Sequence, residues 1–146
     1  MSEQVEFRMQ NGQEGMVGLD SLLSLVPDND WVWSVLDFDG IGTGPSGLGY
    51  AEFRDRVHSL PQGYVMSWPQ VREFAAGVQQ CFDLLLVAAS NRRSLEPERL
   101  AVDDYSECLI VFTASDSTWW SVEVTTETEG TADLLGSLRA RFGTAG

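Results

Sequence analysis

Cys108-Leu109-Ile110-Val111-Phe112-Thr113-Ala114-Ser115-Asp116-Ser117-Thr118-Trp119-Trp120-Ser121-Val122-Glu123-Val124-Thr125 decides the fold. Its first seven residues are apolar on both faces of an extended chain, rich in β-branched and aromatic types, and read as a strand with cover on each side. Ser115-Asp116-Ser117 has turn chemistry. From Thr118 to Thr125 the chain alternates, with Trp120, Val122 and Val124 on one face and Trp119, Ser121 and Glu123 on the other. Two such runs joined by so short a turn predict a β-hairpin, and a hairpin is antiparallel.

Upstream, Phe82 to Ala89 is apolar on both faces apart from Asp83, which predicts an interior strand. Between it and the hairpin, residues 90–106 hold charges, Pro97 and no sustained period, so they predict a surface excursion with one helical turn near Glu98–Val102. Ser67-Trp68-Pro69-Gln70 opens a helix with a capping box, Ser67 at the N-cap and Gln70 three residues on, and Val71, Phe74, Ala75 and Val78 form its apolar stripe. Proline is tolerated in that first turn because its missing N–H would be unpaired there. Gly63 to Met66 reads as a short strand. Tyr50, Phe53, Val57 and Leu60 predict another amphipathic helix, ended by Pro61. Trp31 to Phe38 alternates and predicts a strand, followed by a glycine- and proline-rich loop from Asp39 to Gly49.

Nearer the start, Val5 to Met9 reads as a strand with a turn through Asn11-Gly12. Leu19, Leu22, Leu23 and Val26 predict a helix capped by Asp20 and closed by Pro27. Downstream of the hairpin, Thr131 is placed to cap a last helix that carries Leu134, Leu135, Leu138 and Phe142 inward, with Arg139 and Arg141 at its end and Gly143 as stop. The order β-α-β-α-β-α-β-β-β-α, with no linker and no repeat, predicts one α+β domain over residues 1–146. Its sheet is expected to be mixed but mainly antiparallel, five to six strands with three to four helices packed on it.

With 146 residues and 43% hydrophobic side chains the chain is long enough for a real core. The longest apolar run, Leu84 to Ala89, is far short of the ~20 residues of a membrane-spanning helix. Met1-Ser2-Glu3-Gln4 shows no secretory pattern, so a cytoplasmic location is expected. Cys81 and Cys108 lie in apolar strands and read as a buried, reduced pair.

Charge narrows the function. Nine basic residues, all arginine, stand against 22 acidic ones, for a net charge of −13. An arginine-only basic set is the mark of GC-rich coding. Residues 1–50 are net −7, residues 51–100 neutral and residues 101–146 net −6. Such a potential repels nucleic acid and anionic membrane and attracts basic proteins.

The chemistry-bearing residues are few. Without lysine there is no Schiff-base chemistry and no phosphate-loop lysine. His58 is the only histidine; it sits among charges on its helix and reads as a solvated residue. Two cysteines and one histidine do not complete a structural zinc site, so no metal is expected. Gly42-Thr43-Gly44-Pro45-Ser46-Gly47 matches G-x-G-x-x-G in letters. Pro45, Gly47 and Gly49 delay the following helix, however, and no strand ending in an acid lies about 20 residues on. It reads as a loop, and no cofactor is expected. The carboxylate pairs Asp28/Asp30, Asp37/Asp39, Asp103/Asp104 and Glu127/Glu129 remain. Asp37 and Asp39, two apart at a strand end, would share a face and are open to a magnesium or hydrolase reading; as partner-binding acids they are better used. Trp119, on the polar face of its strand, is a candidate hot spot, provided no helix covers that face.

The stretch Cys108 to Val122 and the Ser67-Trp68 helix leading into Phe82-Asp83-Leu84-Leu85-Leu86-Val87 together resemble small acidic immunity proteins of bacterial polymorphic toxin systems, over residues 63–125. The resemblance implies a cytosolic antitoxin that masks a toxin, often a basic nuclease, through a family-specific surface. The expected function is therefore a non-catalytic binding protein, monomeric or homodimeric, with Asp37, Asp39, Asp103, Asp104, Asp116 and Trp119 contacting a cognate toxin or other basic protein, and with no direct nucleic-acid or membrane contact. The alternatives are a nucleic-acid mimic that occludes a DNA-binding protein, a small enzyme using paired carboxylates, and an oligomerising structural subunit.

Overall fold

The computed structural model describes residues 3–11, 15–116, 118–124, 131 and 133–142. The hairpin forms as the sequence requires: β7 (Ile110–Ser115) pairs with β8 (Trp119–Val124), from Ile110 opposite Val124 to Ser115 opposite Trp119. On its other edge β8 takes β1 (Glu3–Arg8). β6 (Val78–Ala89) pairs with β7 through Leu84–Ala88 and with β4 (Val32–Gly42) along nearly its whole length. The sheet is completed by β5 (Tyr64–Met66), which meets only Trp33–Val35 of β4. The order is thus β1-β8-β7-β6-β4-β5, antiparallel at every pairing. A small ribbon, β2 (Gln10–Asn11) with β3 (Gly15–Met16), continues the chain beyond β1.

The helices are α1 (Leu19–Leu23), α2 (Tyr50–Ser59), α3 (Trp68–Gly77), α4 (Pro97–Leu100) and α5 (Leu134–Phe142). The stripes of α1, α2, α3 and α5 join one face of the sheet in a single core. Its centre is aromatic: Trp33 lies 5.3 Å from Trp68 and 6.1 Å from Phe112, and Phe53 lies 5.1 Å from Phe74. Phe7 stacks on Phe142 at 5.3 Å, which ties α5 to β1. The Ser67–Gln70 capping box is present, with Gln70 Oε1 accepting from the Ser67 N–H at 2.8 Å. Both cysteines are buried. Burial pushes the Cys81 thiol up to about 12 and the Cys108 thiol up to about 11.

Several local expectations are corrected. Strand β4 runs on to Gly42, through residues expected to open a loop. The glycines there are strand glycines: a Cβ on Gly40 would collide with the Gln80 carbonyl, and Gly42 has φ +142° against the backbone of Gly77. Glycine at such close approaches permits pairing rather than ending it. In the same way, Val78 leaves helix α3 and starts β6, because Gly77 ends the helix and its carbonyl accepts from Thr43 N–H at 3.1 Å. Helix α1 is capped by Gly18, with Asp20 inside its first turn, and it stops before Val26. Leu60 is the C-cap of α2 and is exposed. The excursion after β6 is more than a surface loop. Leu95, Leu100 and Cys108 fold over the outer sheet face and bury Val87, Ala89 and Val111. That cover explains why β6 and β7 are apolar on both sides. Thr131 is buried and its carbonyl accepts from Leu134 N–H at 3.2 Å. Gly12, Ser117, Glu127, Glu129 and Gly143 lie outside the described residues.

Candidate functional site

The acids gather on the outer face, where the excursion leaves the sheet uncovered. A register shift between Val35 and Asp37 turns Asp37 outward opposite Leu85, and Asp39 follows opposite Asp83. β5 starts at Tyr64, opposite Val35, so among the described residues β4 has no strand on that edge beyond Val35, and α2 packs beside it. Helix α2 sends two polar groups to these acids. His58 Nε2 lies 2.8 Å from Asp37 Oδ1, with both side chains about half exposed. The Tyr50 hydroxyl donates to Asp39 Oδ1, a contact that raises the Tyr50 pKa.

Asp103 and Asp104, neighbours in sequence, part company in space. Asp103 takes a left-handed backbone conformation (φ +57°) and accepts from the Tyr105 hydroxyl at 2.9 Å. Tyr105 is held above its ordinary pKa, first by burial and then by that carboxylate. Asp104 accepts the Ser106 hydroxyl at 2.6 Å and the Ser106 N–H at 3.1 Å, which hold its carboxyl below the ordinary range. Arg99 lies 3.4 Å from Asp104, 3.3 Å from Glu96 and 3.6 Å from Glu107, so three acids share one guanidinium. Asp104 is thus paired with a cation of its own chain, whereas Asp103 is exposed and accepts from a neutral hydroxyl.

Asp37 and Asp103, 66 positions apart, line one cleft of about 660 Å³ between α2 and the excursion. Glu98, His58 and Tyr105 border it as well, and Leu36, Leu85 and Leu100 give it apolar walls. Acidic lips over leucine walls suit a long cationic side chain, whose methylenes rest on the leucines while its head meets carboxylate.

The remaining expected contacts, Asp116 and Trp119, lie at the β7–β8 turn. Asp116 has φ +50°, and its N–H donates to Asp83 Oδ1 at 3.2 Å. Trp119 is 42% exposed, so no helix covers it. The Arg8 guanidinium lies 5.2 Å from its ring centre. The six residues named from sequence therefore divide. Asp37 and Asp103 share the cleft, Asp39 joins Asp83 and Asp116 along the face, Trp119 stands at the turn, and Asp104 is engaged elsewhere.

Sequence reasoning missed Asp83, Glu98 and Tyr105, and it gave His58 no partner. A signal for Asp83 existed, since it is the one charge in the run Phe82–Ala89. Among the described residues no cluster of three or more His, Cys, Asp or Glu is arranged to hold a metal ion, and no helix is long and apolar enough to cross a membrane. No family model matches the chain, and no curated protein or solved structure is significantly similar to it.

Proposed function

We propose that this is a non-catalytic acidic binding protein, an immunity protein that neutralises a cognate basic toxin, most readily one of nuclease type. One observation carries the reading: Asp37 from β4 and Glu98 and Asp103 from the excursion converge on a cleft with leucine walls. A net charge of −13 adds long-range attraction for a basic partner and fast, salt-dependent encounter. In this reading the cleft takes an arginine or lysine of the toxin, and the acids along Asp39, Asp83 and Asp116 steer it.

The test is protection. A basic toxin domain encoded beside this chain is expressed in cells with and without it, and survival is scored. Wild type restores growth, and Asp37→Arg with Asp103→Arg removes the protection. In solution, each single reversal weakens toxin binding about thirtyfold, or about 2 kcal/mol. Protection that survives the double reversal would remove the cleft as the binding site. A toxin that kills equally with the wild-type chain present overturns the immunity reading.

The contact of His58 with Asp37 favours a second reading, a small enzyme with an imidazole oriented by a carboxylate at a cleft. Turnover of any substrate abolished by His58→Ala, with the fold intact, would decide for it.

A further inference from the structure

The β7–β8 hairpin is half the length of β6. β7 ends at Ser115, and β6 is paired to it only from Leu84 to Ala88. Among the described residues no strand pairs with the β7-side edge of β6 from Val78 to Asp83, about 20 Å of chain at ~3.3 Å per residue. On the far side of the gap the chain also runs past the turn. Met9 N–H donates to Thr118 O at 2.8 Å and Val17 N–H to Met9 O at 2.7 Å. The sheet therefore has a notch where β7 and β8 would continue, flanked by Val78–Cys81 on one side and by Met9, Met16 and Val17 on the other. It encloses about 300 Å³, with Leu19 and Trp120 among its lining. The Trp120 indole N–H is already satisfied by Val17 O at 2.8 Å.

We infer that this notch is a strand-addition site for an extended segment of another protein in which apolar side chains alternate with basic ones. An open edge offers backbone donors and acceptors at strand spacing, and strand addition uses them for affinity while alternate side chains select the partner. Here the two faces ask for opposite chemistries. Side chains on the helix-covered face enter the apolar notch. Side chains on the other face meet Asp83 and Asp116, held together by the Asp116 N–H, with Asp39 opposite Asp83. A second copy of this chain fits poorly, because each copy carries −13 and its own Val78–Asp83 edge offers no basic side chain. Asp37 and Asp103 have no part in this edge, so it stands or falls apart from the cleft.

The probe is an eight-residue peptide of alternating arginine and valine, acetylated and amidated, measured by calorimetry with the full chain. Two further peptides carry N-methyl groups on the valines or on the arginines, which keeps charge and side chains while removing one set of N–H donors. Strand addition requires that one methylated peptide bind at least tenfold more weakly while the other stays within threefold. It also requires that the amides of Val78–Asp83 become protected from exchange. Gly18 lines the notch and has open space where a side chain would begin. Gly18→Leu should therefore weaken the peptide at least tenfold with the thermal midpoint kept, and Asp37→Arg should leave it within threefold. Equal binding of all three peptides means adsorption by charge alone and overturns the inference, as does no binding, or a dimer whose edge excludes the peptide.

Discussion

The outer face of the sheet holds two halves with opposite fates. Along β6 the outward positions read Asp83, Leu85, Val87 and Ala89, passing from charge to aliphatic within a single strand. Where they are aliphatic, Leu95, Leu100 and Cys108 close over them; where they are polar, Asp39, Asp83, Thr113 and Ser121 stay at least partly exposed among the described residues. The pleat is the same in both halves, so local conformation does not decide which is buried. The crossing segment decides. An outward apolar position is a statement that something distant will arrive, and an outward acid on an interior strand is a statement that nothing will.

That contrast can be broken most severely by exchanging its chemistry. Val87→Asp puts an unpaired charge under the excursion and is expected to cost about 4 kcal/mol or more. Thr113→Asp on the open half should stay within about 0.5 kcal/mol; equal urea midpoints for the two would refute the division. Next in size is Leu95→Ala. The side chain is fully buried in the smaller outer cluster, and its loss should lower stability by about 2–4 kcal/mol. A value near zero would mean that the excursion is not anchored there.

Alkaline pH tests both sides of the sheet at once, since Cys81 packs in the inner core and Cys108 in the outer cluster. Their folded pKa values of about 12 and about 11 lie above the ordinary thiol value of roughly 8.5. The folded state thus holds protons that the unfolded state releases first. The stabilisation is complete below about pH 8.5 and is lost as pH rises toward 11–12, by roughly 1–2 kcal/mol per thiol at pH 10. Tyr50 and Tyr105, also raised, act with the same sign. Urea midpoints at pH 7, 9 and 10 should fall, and Cys81→Ala should flatten the decline; a rise would reverse the assignment. The smallest effect is on Asp103→Asn, which keeps a residue type suited to the left-handed backbone and should change stability by less than about 0.5 kcal/mol yet weaken partner binding more than Asp104→Asn does. Isothermal titration of the two variants would show the difference.

Much of this was legible in the chain. The order of the ten principal elements, the Ser67–Gln70 cap, the hairpin and the inward tryptophans Trp33, Trp68 and Trp120 all follow from periodicity and local chemistry, which act over a few residues. Several of the errors lie at glycines. Gly40, Gly42 and Gly77 read as loop or helix residues until the neighbouring backbone is in place, because their role is to let two strands approach. The site was half legible: Asp37, Asp103 and Asp116 were nameable as acids at turns, but their company was not.

By itself the sequence determined the element order, the reduced thiols, a net charge of −13 and the scarcity of reactive side chains, because each is a property of composition or of near neighbours. Only the tertiary structure decided that Asp37 shares a cleft with Asp103 and contacts His58, that Asp104 turns to Arg99, and that among the described residues no strand pairs with the Val78–Asp83 edge of β6. Those outcomes depend on where the excursion crosses the sheet and on how far the hairpin extends. Long-range packing sets both, and no short window of residues contains it.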